Sequence, residues 1–241
     1  MSVNRYLQSI VQSPQFFKIC AASSAYDSLH PRDAVVELLL TLFNLHPNNT
    51  CQPSHVEPLV HIYGGTLSTS DRQLLSIFQL FELQRKTSVA TIIGRWSASL
   101  DATSSTFLEA LQSLDLIRVL RTCLVYPTRR SFTEEVDDKG SLYDGQIYDP
   151  VFVMLLFGHM ISHSPPGSAL AWVELFRTNV VSLLIRALSS KDKNMRSVAL
   201  CQIATLWKCL EVRCFVSSDL HRTHILLRWL ICKRNRTCSI S

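Results

Sequence analysis

CQPSHVEPLVHIYGGTLSTSDRQLLSIFQLFELQRK, residues 51–86, reads as a helix, a glycine stop and a recapped helix. Pro53 and Ser54 open the first helix, and Val56, Leu59, Val60, Ile62 and Tyr63 fall on one of its faces. Gly64 and Gly65 end it, because glycine enters the left-handed conformation favoured at a helix C-terminus without a steric penalty. Ser70 or Thr69 can cap the second helix, and Asp71 in its first turn complements the positive end of the helix dipole. Leu74, Leu75, Ile77, Phe78, Leu80 and Phe81 then recur at helical spacing and fill a buried seam. Nothing in the stretch is suited to chemistry.

Outward from this pair the chain continues as helix after helix. Upstream, Ser13-Pro14 starts one that runs to about Tyr26, and Pro31-Arg32-Asp33 starts another through Leu45. His46-Pro47-Asn48-Asn49 breaks the latter. Downstream, residues 88–96 can continue the second helix of the pair, and Ser97–Ser105 is a polar connector. A short helix over about 106–113 and another capped by Asp115 lead to Pro127. Residues 128–145, with Glu134, Glu135, Asp137 and Asp138, lack apolar surface to bury and read as a mobile acidic loop. Tyr148-Asp149-Pro150 then opens a buried helix over 151–161, and Thr178-Asn179 interrupts the helix over 169–188.

The clearest architectural sign follows. Val181–Leu188, then Ser-Ser-Lys-Asp192, then Met195-Arg196-Ser-Val-Ala199-Leu resembles a HEAT repeat, in which an Asp-containing turn joins an apolar helix to a second helix carrying an apolar-Arg pair. One such unit cannot bury both faces alone, so neighbours must stack on it. The fold expected is all-α, an irregular HEAT/armadillo-like helical-repeat solenoid. It divides into a repeat part over 1–126, the acidic loop over 127–146, a second repeat part over 147–232 with its HEAT-like unit at 180–210, and a basic polar tail over 233–241.

Composition agrees: 241 residues, 47% hydrophobic and 18% charged, are globular in character, and 7 glycines and 9 prolines leave little room for a turn-rich β design. There is no phosphate-binding glycine motif. The first segment lacks a signal-peptide core, and the longest apolar run, 147–161, is shorter than a bilayer span of about 20 residues. Eight cysteines scattered singly read as reduced thiols of an intracellular protein. Charge is uneven: residues 186–241 hold 11 Lys and Arg against 3 Asp and Glu, whereas the remainder holds 13 against 16. A basic face of that kind attracts polyanions such as RNA; from charge alone a solvated helix surface is the preferred reading.

Reactive constellations are weak. Cys209, Cys214, His221 and His224 offer four zinc ligands, but not at zinc-finger spacing. His159 and His163 share a helix face without the glutamate of H-E-x-x-H. No nucleophile elbow is present, and the dense carboxylates lie in the acidic loop, where no fixed acid–base geometry is expected. The reading is of a protein that is not an enzyme and has no cofactor, metal or small-molecule substrate. For RNA the candidates are Lys191 and Lys193 at one inter-helix turn, and Arg228, Lys233, Arg234 and Arg236 near Trp229 at the C-terminus. Arg196 sits where HEAT repeats carry a structural arginine.

Tyr63-Gly64-Gly65-Thr-Leu-Ser-Thr-Ser70-Asp71, the aromatic run Ile77–Glu82 and Tyr148-Asp149-Pro150-Val-Phe152 resemble, in that order, the C-terminal region of the nucleolar pre-ribosomal-associated protein 1 family, over most of residues 31–210. The resemblance implies a nucleolar scaffold of ribosome biogenesis that assists early maturation of large-subunit (5.8S and 25S/28S) pre-rRNA. It implies pre-ribosomal proteins, small nucleolar ribonucleoproteins and an RNA helicase as partners, with pre-rRNA contact and no membrane. In the family the Tyr-Asp-Pro opens a buried helix, so Tyr148, Asp149 and Pro150 are expected to be structural, as are Asp192 and Arg196. The family's proteins are several times longer, and the expectation is a short or partial form. The alternative reading is a helical-repeat protein–protein adaptor with no RNA role.

Overall fold

The computed structural model describes residues 3–21, 31–96, 107–131 and 145–214. Within them the chain forms α1 (Val3–Val11), α2 (Pro14–Ala21), α3 (Pro31–Leu45), α4 (Pro47–Thr50), α5 (Pro53–Ile62), α6 (Thr69–Arg85), α7 (Val89–Ile93), α8 (Phe107–Gln112), α9 (Leu116–Leu124), α10 (Pro150–His163), α11 (Ala169–Arg177), α12 (Val180–Ala187) and α13 (Lys193–Cys214). The protein is all-α; the described residues contain no strand, and one isolated antiparallel bridge joins Thr66 to Tyr148. No described helix is long and apolar enough to cross a membrane.

Prolines and caps set the boundaries. Pro14, Pro31, Pro47, Pro53 and Pro150 each begin a helix, where the missing N–H would have had no intrahelical partner. The cap of α6 is Ser68, earlier than either expected residue, and its hydroxyl accepts from the Asp71 N–H. Residues 88–96 do not continue α6. Lys86 ends that helix in the left-handed region at φ 56°, and Ser88 caps α7 by accepting from the Thr91 N–H at 3.2 Å. Asp115 caps α9 and Asn179, at φ 59°, separates α11 from α12, both as the sequence predicts. The helix expected to reach Tyr26 is described only through Ala21, and the connector over 97–105 lies outside the described residues.

Two packing centres follow from the apolar periodicity. In the first, α3 lies along α6; Val36, Leu39 and Phe43 of the one and Leu74, Phe78 and Phe81 of the other are buried, with the Phe43 and Phe81 rings 5.6 Å apart. In the second, α10 is covered by α7, α8, α12 and α13, so that Val151 to Met154, Leu156, Phe157 and Met160 are all buried. A helix apolar on every side has to be central, and each large side chain so buried contributes about 1.5–3 kcal/mol. In the 180–210 unit α13 packs on α12, and Met195 and Ala199 of α13 are fully buried.

His55 in α5 is buried beside Phe43, its Nδ1 2.7 Å from the Thr50 carbonyl. Burial lowers its pKa from the ordinary 6.5, partly opposed by that backbone hydrogen bond. The folded state therefore binds a proton less readily than the unfolded chain, so stability is full above about pH 6.5 and falls as pH drops below it. A thermal-melting series from about pH 7.5 to about pH 5 should show this decline, and His55→Gln should flatten it.

Candidate functional site

The glycine turn of residues 63–71 closes on Asp71, the third residue of α6, whose side chain is fully buried. Its Oδ1 accepts from the Gly64 N–H at 3.0 Å and from Arg32 Nη2 at 2.6 Å; its Oδ2 accepts from the Thr66 N–H at 2.8 Å and from the Thr66 hydroxyl. Arg32 Nη2 also donates to the Ile62 carbonyl at 2.9 Å, so one guanidinium ties the end of α5 to the start of α6. The neighbouring Ser70 hydroxyl donates to Asp33 on α3. Asp71 thus does more than complement a dipole. It folds the turn around a carboxylate, with backbone N–H groups and a charged partner occupying its lone pairs. Only Gly65 is left-handed, at φ 65°; a Cβ on Gly64 would lie 2.9 Å from Asp71 Oδ2.

Asp149 builds a second clamp on the same plan. Its Oδ1 accepts from the Val151 N–H at 2.9 Å, capping α10, and Arg130 reaches the carboxylate with Nε at 3.2 Å and Nη2 at 2.8 Å. Both side chains are buried, Arg130 at 7% exposure and Asp149 at 1%. Thr128 to Ser131, which sequence reading assigned to the acidic loop, are therefore anchored: the Thr128 carbonyl accepts from the Lys191 N–H at 2.7 Å, and Arg130 points inward. The acidic residues Glu134, Glu135, Asp137 and Asp138 lie outside the described residues.

The two motifs meet. The Asp149 N–H donates to the Gly65 carbonyl at 2.8 Å and the Leu67 N–H to the Ile147 carbonyl at 3.3 Å. Tyr63 stacks edge-on against Phe78 and Phe152, each at 5.4 Å, while Trp96 lies 5.1 Å from Phe152 and donates Nε1–H to the Tyr63 carbonyl at 2.7 Å. Tyr148 closes the far side: its N–H donates to Thr122 Oγ1, its hydroxyl accepts from the Asp115 N–H, and Arg118 sits over its ring. Burial, then the charges of Asp149 and Asp71, push the Tyr63 phenol well above its usual range. A phenol so held stays protonated, and both carboxylates are taken up by their partners. The junction is suited to fixing two segments, not to moving protons.

Among the basic candidates, Lys191 and Lys193 are exposed on either side of Asp192, which caps α13 through the Asn194 and Met195 N–H groups. Arg196 donates to the Ser190 and Lys191 carbonyls, both at 2.8 Å, and so ties the turn to the start of α13. Arg228, Lys233, Arg234 and Arg236, with His221 and His224, lie outside the described residues. His159 and His163 stack at 4.1 Å, and no group of three or more metal-ligating side chains occurs among the described residues. Burial raises the thiol pKa of Cys20 and Cys51 and takes that of Cys123 to about 11, Arg186 partly opposing it there. Such thiols are poor nucleophiles at neutral pH.

Sequence reading found both aspartates but neither arginine. A carboxylate beside a glycine turn, followed by a wholly apolar helix face, signals that a cation must come from elsewhere. Which of the chain's arginines supplies it depends on packing across 39 and 19 residues.

Helices, buried ion pairs and a motif junction of this kind define an all-α protein in which distant segments are fixed against one another. The chain is similar to nucleolar pre-ribosomal-associated protein 1 from human, 26% identical over 200 residues and 75% of this chain, and from mouse, 25% identical over 202 residues and 75%. It is also similar to the protein of that name from Saccharomyces cerevisiae, 24% identical over 143 residues and 59% of this chain. These agree with the family resemblance read from the motifs, and the relatives' names are nucleolar. The chain spans only 8–9% of the length of these curated relatives. No family model matches it, and no solved structure does.

Proposed function

We propose that this chain is a non-catalytic scaffold of ribosome biogenesis in the nucleolus, assisting early maturation of large-subunit (5.8S and 25S/28S) pre-rRNA through protein and RNA contacts. The observation that carries the reading is similarity over three-quarters of the chain to proteins named for pre-ribosomal association. Small nucleolar ribonucleoproteins and an RNA helicase are its partners in this reading, and the helices belong to an irregular HEAT/armadillo-like array. The mechanism is geometric: rigid helices hold surfaces in register while no bond is made or broken. Buried ion pairs at Asp71 and Asp149 support it, because they lock segments far apart in the chain into one frame.

Crosslinking of the tagged full chain to RNA in cells, with sequencing of the bound fragments, tests this. Enrichment of large-subunit pre-rRNA or small nucleolar RNAs is expected, and Lys191→Glu/Lys193→Glu should lower the yield on the order of tenfold, since two phosphate contacts turn repulsive. The Arg228–Arg236 cluster is the other proposed contact, and crosslinked peptides would place it. No enrichment from folded protein would overturn the RNA contacts and leave the protein–protein adaptor, a reading favoured by the exposed apolar face of α9.

A further inference from the structure

An amphipathic helix is expected to turn its apolar stripe inward, and α9 does so with only part of its apolar surface. Val119 and Thr122 are buried, yet Leu116, Ile117, Leu120 and Leu124 are 47%, 62%, 42% and 78% exposed. At 100° per residue these four fill one continuous arc of about 100°, the width of a stripe that would ordinarily be covered. The row rises over about 12 Å, or rather more than two helical turns.

The charges around it are ordered. Arg121 is exposed on α9 at one edge of the row. On the other edge α12 runs alongside α9, and Arg186, also exposed, lies within electrostatic reach of Cys123. Neither arginine side chain has an ion-pair partner among the described residues. At the N-terminal end the row opens on a shallow cleft shared by Leu116, Arg177 and Thr178, where Glu174 accepts from Gln112 and Asp115 serves as the cap. Among the described residues, the C-terminal half of the row is thus flanked by cations on both sides, and the acids named here lie at the far end.

We propose that the exposed face of α9 is a docking surface for an acidic amphipathic helix of a protein partner, whose apolar row covers Leu116 to Leu124 and whose carboxylates meet Arg121 and Arg186. Apolar anchors at helical spacing with charges on either side are how helices recognise one another in a groove or seam. RNA fits poorly: phosphates gain nothing from four aliphatic side chains, and among the described residues this face offers no aromatic ring on which a base could stack. The inference goes beyond the RNA contacts proposed above and does not depend on them.

The test uses the full chain and a fluorescent helical probe peptide with leucines at i, i+3, i+4 and i+7 between glutamates, a twin with lysine for glutamate, and an oligouridine. The acidic peptide should bind, and its lysine twin at least about tenfold more weakly, as expected when like charges oppose. Leu124→Asp should weaken the acidic peptide at least about tenfold without shifting the melting temperature, because the residue is exposed. Arg121→Glu/Arg186→Glu should reverse the preference between the two peptides, which loss of structure could not do. Equal affinities, binding of neither peptide, or displacement of the peptide by oligouridine would each overturn the proposal.

Discussion

Replacing Arg130 with methionine should destabilise the chain by about 3–5 kcal/mol, measured by urea denaturation with helical circular dichroism as the signal. The loss would not come chiefly from the missing attraction. Asp149 is 1% exposed, so removing the guanidinium leaves a buried carboxylate whose one remaining partner among the described residues is the Val151 N–H. The discriminating variant is Arg130→Met/Asp149→Asn. Asparagine still offers an oxygen to cap α10, and with both charges gone the double variant should be more stable than Arg130→Met alone. If the single change costs less than about 1 kcal/mol, the pair is solvated like a surface ion pair and does not hold the junction.

Gly65→Ala should cost about 2–5 kcal/mol, for two separable reasons. At φ 65° an alanine pays about 1–2 kcal/mol for the left-handed backbone. Its Cβ would also fall 2.3 Å from the Phe152 ring, and overpacking of that kind costs about 1–3 kcal/mol more. Phe152→Leu in the same chain should relieve the steric share and leave the backbone share, giving a coupling of about 1–3 kcal/mol in a double-mutant cycle. Strict additivity would mean that the ring is not what excludes a side chain at this position.

Both experiments probe one junction, and together they separate what was legible in the residues from what was not. The glycine stop, the helix opened by Tyr148-Asp149-Pro150, the cap at Asp115, the turn containing Asp192 and the buried seams of α6 and α10 are all local. Each rests on φ restriction, a side-chain acceptor within three residues, or a periodicity that repeats every turn. Ser68 was missed as the cap because Ser68, Thr69 and Ser70 are chemically near-equivalent acceptors, and only the direction in which the chain leaves the turn chooses among them. Arg130 was misplaced because a short polar stretch beside an acidic run carries no periodic signal, whatever it pairs with.

The sequence by itself determined the longer helices, their order and the resemblance to nucleolar pre-ribosomal-associated proteins, since those depend on neighbours within a few turns; it did not separate α7 from α6 or show the short α4. Only the tertiary structure decided that the two motifs form one site, that Arg32 and Arg130 neutralise its carboxylates, and that α9 presents leucines outward between two arginines. The reason is physical. Burying a charge costs so much that some partner must be found, but the cost is the same whichever cation answers it, so the choice is left to the packing of distant helices.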